Sequence, residues 1–317
     1  MEHLTGIPNA DLADFLSGDP VRKQKFVDQL GSAYGDIGFI AVRNHHISPA
    51  HQAELYDEVQ GFFELPPEVK LSYEKSELAG QRGYVSFGKE HAKGRTEGDL
   101  KEFWHFGQDV TDGDPIGDQY PDNMPVAELP SFGDIGMRSY KQLETSGRYI
   151  LQAIALHLGL DEFYFDDKIN NGNSILRPIH YPPITNEPDS AVRAGEHEDI
   201  NLITLLIGAS ADGLEVLNKD NEWIKVTAFP DHIVVNVGDM LQRLTNNKLK
   251  STTHRVVNPP REHWGSSRYS IPFFLHPRSD MRLDCLPNCI EAGKTPDYEP
   301  ISAGEFLDQR LAEIGLK

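Results

Sequence analysis

The stretch Gly195-Glu196-His197-Glu198-Asp199, running into Ile200-Asn201-Leu202-Ile203-Thr204-Leu205-Leu206-Ile207, decides how the rest of the chain is read. Side chains on a strand alternate between its two faces, so a histidine and an aspartate two positions apart point the same way. An imidazole and a carboxylate on one face can grip a divalent metal from two sides. A third donor must come from elsewhere. His254, in Ser251-Thr252-Thr253-His254-Arg255-Val256-Val257, lies 57 positions later in another β-rich stretch and is the natural candidate.

Taken alone, His-x-Asp is more often a polar pair at a strand end than a metal site. The sequel changes the balance. Arg268-Tyr269-Ser270 follows 14 residues after His254, inside a strand expected from Arg268 to Leu275. Period two again places Arg268 and Ser270 on one face, and a planar guanidinium beside a hydroxyl suits a carboxylate. Two histidines and one carboxylate that leave coordination positions open form the ligand set of non-haem Fe(II) oxygenases. Metal ligands plus a carboxylate anchor describe a site that holds an oxo-acid against iron.

With these residues in hand, the chain resembles the Fe(II)/2-oxoglutarate-dependent dioxygenases, in particular the isopenicillin N synthase-like branch. His197-x-Asp199, His254 and Arg268-x-Ser270 match the family's pattern, and the likeness spans roughly residues 30–280 in the family's order. Asp36-Ile37-Gly38-Phe39-Ile40-Ala41-Val42-Arg43-Asn44-His45 resembles its amino-terminal segment, and Phe62-Phe63-Glu64-Leu65-Pro66 the end of its early helix. Tyr181-Pro182-Pro183 is similar to the close of its Asn-Tyr-Tyr-Pro-Pro motif. Asn236-Val237-Gly238-Asp239-Met240-Leu241 resembles a turn of the family. The chain departs at His46, where the family usually has glycine, and at Ile179-His180, where it usually has Asn-Tyr.

The resemblance implies a mixed α and β fold with a distorted double-stranded β-helix (jelly-roll) core, flanking helices, and the metal at one mouth of the barrel. It also brings Tyr181 into the 2-oxoglutarate site beside Arg268 and Ser270. Strand spacing by itself does not separate a jelly roll from another sandwich.

At 317 residues with 38% hydrophobic content, the chain can bury a sizeable core, and no linker or repeat divides it. We therefore expect one catalytic domain over residues 1–317. Within it, residues 1–173 are helix-rich, residues 174–280 form a jelly-roll core, and residues 281–317 are a C-terminal extension. A formal charge of −19 leaves no basic excess to neutralise phosphates, which speaks against nucleic acid or an anionic membrane as partner. No secretory signal or membrane-spanning run is visible, and Cys285 and Cys289 read as free thiols, so a cytoplasmic protein is expected. The sequence leaves the oligomeric state open.

Helices are expected over 9–34 with a break at Gly18-Asp19-Pro20, from Ser48-Pro49 to Phe63, over 131–158, and from Ser302 with the capping box Ser302-x-x-Glu305. Residues 73–100 read as a loop region, either a surface excursion or a lid. Strands are expected at Ile37–Val42 and Leu100–Phe106, then near 174–180, 193–197, 201–207, 213–217, 222–226, 232–237, 252–257 and 268–275. Phe103, Trp104 and His105 read as core, and Asn236 and Asp239 as turn-forming. His180 and Arg177, the latter four residues before Tyr181 on the same face, stand near the site without an assigned role.

The expected function is oxidation of a small organic substrate, hydroxylation first among the outcomes, using Fe(II), O₂ and 2-oxoglutarate with release of succinate and CO₂. Three rivals remain at this level: an iron oxidase that dispenses with 2-oxoglutarate, a zinc hydrolase on the same ligands, and a silent 2-oxoglutarate-binding sensor.

Overall fold

Alternation within Ile203–Ile207 sets the architecture. In the computed structural model, which describes residues 6–91, 98–188, 191–208, 212–227 and 231–313, Ile203, Leu205 and Ile207 are fully buried in the cluster beneath the helices. Leu206 points the other way and packs against a second cluster built from Phe39, Ala41, Leu214, Val216 and Val234. One strand is apolar on both faces because both are covered.

The first half of the chain contains β1 (Asn9–Asp11), α1 (Leu12–Phe15), α2 (Pro20–Asp36), β2 (Phe39–Arg43), α3 (Pro49–Phe63), α4 (Pro67–Ser72), β3 (Gly83–Val85), β4 (Glu102–Gly107), α5 (Pro130–His157) and α6 (Asp166–Ile169). Next come β5 (Ile175–Leu176), β6 (Ile179–Tyr181), β7 (Ala194–His197), β8 (Ile203–Ile207), β9 (Leu214–Leu217), β10 (Trp223–Lys225) and β11 (His232–Val237). The chain closes with α7 (Asp239–Leu244), β12 (His254–Val256), β13 (Arg268–Leu275) and α8 (Ala303–Glu313). Among the described residues, the larger sheet runs β1-β2-β11-β8-β13-β5-β4-β3, with β6 pairing both β13 and β4. The smaller sheet runs β10-β9-β12-β7. Two mainly antiparallel sheets with helices on the outer face of the larger one form the expected jelly-roll core.

Helix α5 backs that sheet. It begins with proline in its first turn and buries Ile135, Tyr140, Leu143, Ile150 and Ile154 on one side. Tyr140 meets Phe273 of β13 edge-on at 4.9 Å between ring centres. A Cβ on Gly147 would fall 2.3 Å from Leu275, so glycine is what lets helix and sheet approach. Each fully buried aliphatic or phenyl side chain contributes roughly 1.5–3 kcal/mol, and truncating Phe273 to alanine costs about 3–5 kcal/mol.

Local signals at the helix starts hold. Ser48 Oγ accepts the His51 N–H at 3.2 Å. Ser302 and Glu305 cap reciprocally, Ser302 N–H donating to Glu305 Oε2 at 2.9 Å and Glu305 N–H to Ser302 Oγ at 3.2 Å. Residues 9–11 differ from expectation: they pair parallel with β2 rather than opening a helix. The free edge of β2 captured these three residues, of which Asn9 and Asp11 are weak helix formers, and Asp11 then caps α1 by accepting the Ala13 N–H. The loop region 73–100 also contains β3, paired with β4, while residues 92–97 lie outside the described ones. His46 has φ +66°, in the left-handed region. That accounts for glycine being the family's usual residue there.

Candidate metal and oxo-acid site

Two strands of the smaller sheet carry the histidines. His197 ends β7, His254 opens β12, and the two stand directly opposite each other in the ladder. Their ring centres are 4.3 Å apart. Asp199 lies just beyond the end of β7, so it reaches the same side from the turn rather than from the strand itself. Its Oδ1 is 3.9 Å from His197 Nε2 and 3.7 Å from His254 Nε2. All three donor atoms fall within 4.8 Å of one another. Glu198, between them, is exposed.

The surroundings fix which atoms face inward. His197 Nδ1 donates to the Gly195 carbonyl at 2.7 Å, and His254 Nδ1 to the Thr252 carbonyl at 3.1 Å. A carbonyl can only accept, so Nδ1 carries the hydrogen in both rings and each Nε2 keeps its lone pair. Asp199 Oδ2 accepts from Thr204 Oγ1 at 2.6 Å and Asn236 Nδ2 at 2.8 Å, leaving Oδ1 for the centre. Burial, reinforced by His254, pushes the His197 imidazole down to about 4. Burial would raise the Asp199 carboxyl, but His254 and His197 and its two hydrogen bonds hold it below the usual carboxylate value. Two imidazoles with Nε2 turned inward and one carboxylate converging in this way fit a divalent transition metal.

The turn after β11 holds this loop in place. Asp239 N–H donates to the Asp199 carbonyl at 2.7 Å, and Gly238 N–H to Leu202 at 2.9 Å. A Cβ on Gly238 would sit 2.3 Å from the Asn201 carbonyl oxygen, so only glycine fits there. Asn236 and Asp239 therefore do shape a turn. Sequence reading missed that Asn236 also orients the acidic donor.

Arg268, Ser270 and Tyr181 come together on the larger sheet. In the β13–β6 pair, Arg268 stands opposite Tyr181 and Ser270 opposite Ile179. All three lie with His197, Asp199 and His254 around one cavity of about 380 Å³. They are buried, Arg268 to 1% exposure. The Arg268 guanidinium lies 4.9 Å from the centre of the Tyr181 ring. A second arginine, Arg193, stands 5.9 Å from that ring and donates to the Ser266 carbonyl at 3.1 Å. Burial and the neighbouring Arg268 lower its pKa to about 10. A buried cation beside a hydroxyl and a phenol fits the far carboxylate of a dicarboxylic oxo-acid.

The remaining wall was only partly foreseen. Parity along β4 turns Lys101, Phe103 and His105 inward, and Lys101 ion-pairs with Glu90 at 2.7 Å and Asp99 at 2.8 Å. Asp99 Oδ1 also accepts the Gly195 N–H at 2.9 Å, on the same residue whose carbonyl holds His197. The alternation of Asp99, Lys101, Phe103 and His105 was the available signal. His105 is thus not merely core. Arg177 lines the cavity. His180 turns away from it, bonding Glu102 at 2.7 Å and Ser267 at 3.0 Å and stacking on Tyr269 at 4.8 Å. The other histidines not expected to bind metal stay outside the triad, although His91 and His276 also line the cavity. Cys285 and Cys289 are free thiols, and no helix among the described residues is long and apolar enough to cross a membrane.

A jelly roll with this donor triad at its mouth defines a non-haem metal-dependent oxygenase architecture. Comparison with known proteins gives the family. Residues 7–128 match the model of the amino-terminal region of non-haem dioxygenases in morphine synthesis, and residues 172–277 that of the 2OG-Fe(II) oxygenase superfamily. A 2-oxoglutarate-Fe(II) type oxidoreductase of Emericella nidulans, hxnY, is 31% identical, over 96% of this chain and 88% of that protein. A crystal structure of a 2OG-Fe(II) oxygenase family protein from Caulobacter crescentus superposes with a TM-score of 0.88 at 42% identity, covering 98% of this chain and 99% of that one. A Neurospora crassa protein crystallised with alpha-KG (2-oxoglutarate) and thymine superposes at 0.86 with 32% identity, covering 98% of both chains. The chain belongs to the 2-oxoglutarate- and Fe(II)-dependent oxygenase superfamily. It is an oxidoreductase that uses Fe(II) and 2-oxoglutarate.

Proposed function

We propose that His197, Asp199 and His254 hold the Fe(II), that Arg268, Ser270 and Tyr181 hold 2-oxoglutarate, and that the enzyme hydroxylates a small organic molecule in the same cavity. The convergence of both residue sets on one buried cavity is the observation that carries this reading. Bound there, Fe(II) supplies activation of O₂ coupled to loss of CO₂ from 2-oxoglutarate, one oxygen atom going to succinate and the other to the substrate. The chain's own role is to position and to exclude water. Gly195 and Thr252 keep each Nε2 ready, and Thr204 and Asn236 keep Asp199 Oδ1 turned inward. Arg268 offers a two-pronged donor set to the distal carboxylate, with Ser270 and the Tyr181 phenol alongside. The net charge of −19 supports a small molecule over nucleic acid or an anionic membrane as partner.

The test is anaerobic protein loaded with Fe(II) and 2-oxoglutarate, then exposed to O₂, with succinate measured against added candidate substrates. Succinate formed above the background without substrate supports the reading. Substrate oxidation with no succinate would instead mean an oxidase that dispenses with 2-oxoglutarate. A centre that binds 2-oxoglutarate yet consumes no O₂ would mean a sensor.

A further inference from the structure

Arg193 is a buried cation beside the oxo-acid site that has no part in the reading above. It is 2% exposed and directly precedes Ala194, which opens β7 and lines the cavity. Its backbone is pinned: the Arg193 N–H donates to Asn258 Oδ1 at 3.0 Å, and Asn258 Nδ2 donates in turn to the Ala191 carbonyl at 2.9 Å. Its side chain reaches the segment leading into β13, where Nη2 donates to the Ser266 carbonyl at 3.1 Å. Arg193 stands four positions before His197, and Ser266 two before Arg268. This one bond therefore ties the segment that carries the metal donors to the strand that carries the oxo-acid anchor.

The positive charge held there meets nothing of opposite sign. Among the described residues no carboxylate bonds Arg193, and its Nε is buried without a hydrogen-bond partner. The groups that bear on it are Arg268, a like charge, and the Tyr181 phenol. The Arg193 and Arg268 guanidiniums stand 5.9 and 4.9 Å from the centre of the same Tyr181 ring. Burying two like charges around one ring costs stability, and a single carbonyl dipole does not cancel it. An anion seated on Arg268 offsets the cost for both cations at once. Arg193 itself stands behind the wall: Tyr181, Ala194 and Arg268 line the cavity and it does not. Its influence on a bound molecule is thus a fixed potential across a buried, weakly screened distance.

We propose that Arg193 is a positioning residue of the oxo-acid site: it touches no ligand, but its charge makes the site select an oxo-acid with a distal carboxylate over one with a neutral tail. This rests on the assignment of Arg268, Ser270 and Tyr181 to 2-oxoglutarate. The two arginines then differ in kind. Arg268 supplies contact and direction, and Arg193 supplies charge alone.

The experiment titrates the anaerobic Fe(II) protein near neutral pH with two oxo-acids, read by charge-transfer absorbance. One is 2-oxoglutarate; the other is 2-oxopentanoate, which has the same carbon chain with a methyl in place of the distal carboxylate. The readout is the ratio of the two dissociation constants. Arg193→Gln removes the charge and keeps an N–H for the Ser266 carbonyl. It weakens 2-oxoglutarate roughly ten- to fiftyfold, the scale of one unit charge acting over roughly 7–12 Å at an effective dielectric of about 20. Binding of 2-oxopentanoate stays close to that of the native protein. Arg193→Met, similar in length without a polar head, lowers the ratio in the same way. Arg193→Lys keeps most of the native ratio, because only charge matters there. Iron content, unchanged in every variant, certifies the folded site. A residue that merely braces the two segments behaves otherwise: equal weakening of both oxo-acids in Arg193→Gln and Arg193→Met, or no change in either, overturns the proposal. Asp189, four positions earlier, lies outside the described residues. Asp189→Asn leaves the ratio unchanged; a stronger preference for 2-oxoglutarate in that variant would show Arg193 already neutralised and also overturn the proposal. Native protein that binds neither oxo-acid, or prefers neither, would instead sink the oxo-acid site beneath it.

Discussion

Replacing Arg268 by leucine isolates the oxo-acid anchor from the metal. Arg268 is 1% exposed, stands opposite Tyr181 in the β13–β6 ladder, and is not among the metal donors. Truncating one partner of a buried, hydrogen-bonded charge pair costs about 2–5 kcal/mol. At 1.4 kcal/mol per decade, the dissociation constant for 2-oxoglutarate rises roughly 30- to 4,000-fold. The fold survives the change, because leucine keeps most of the apolar stem and relieves Arg193 of a like charge that now depresses it. Lysine at position 268 recovers only some of the affinity, keeping the charge but losing the planar fork. Pyruvate has no distal carboxylate, so it binds the native protein poorly and is nearly indifferent to Arg268→Leu. The assay is the charge-transfer absorbance of the anaerobic Fe(II) complex, titrated with each oxo-acid, alongside iron content. An unchanged 2-oxoglutarate midpoint in Arg268→Leu, with iron bound, would refute the anchor.

The same geometry carries three further predictions. His197→Ala and His254→Ala each lose stoichiometric iron and all Fe(II)-dependent turnover, and Asp199→Glu is far more damaging than Glu198→Gln; full turnover of either alanine variant at limiting iron removes that residue from the centre. Asp99→Ala weakens metal binding by about 10- to 100-fold, since it frees the Gly195 peptide that orients His197; Asp99→Asn keeps an acceptor and recovers some of the loss, and native metal affinity in Asp99→Ala would show that the link carries nothing. Glu102 is buried, and although burial raises its carboxyl, His180, Lys70 and Tyr84 together hold it below the ordinary value. Its stabilisation is therefore complete above the unfolded-state pKa and is lost as pH falls through the lower folded-state value. Glu102→Gln leaves Lys70 buried without its charge partner, costs about 3–5 kcal/mol near neutrality, and flattens the acid side of the stability profile; denaturant melts from pH 3 to 7 that run parallel for the two proteins would contradict this.

What the sequence made legible, and what it hid, divides along the distance between partners. His197-x-Asp199 and Arg268-x-Ser270 are read within three residues, and strand parity carries the second into space without help. Parity put Asp199 on the side of His197, where it lies, although it arrives from a turn after β7 has ended rather than from the strand. The strands of the core were legible for a related reason: an apolar run covered on both faces, such as Ile203–Ile207, fits few other structures. The groups that tune the centre were not. Asn236 is 37 residues from Asp199 and Asp99 is 96 from Gly195, so no local spacing announces either bond. Arg177 illustrates the point most fully. Its strand face was readable, but whether an arginine there is solvated, paired or poised depends on His105, Glu90, Phe103 and Phe274, drawn from three separate stretches of the chain. The pairs His197-x-Asp199 and Arg268-x-Ser270 can be written in short spacings, because one short segment carries each. The Arg177 wall of the cavity is assembled from distant residues, so a change at any one of them re-aims the guanidinium while leaving every short spacing intact.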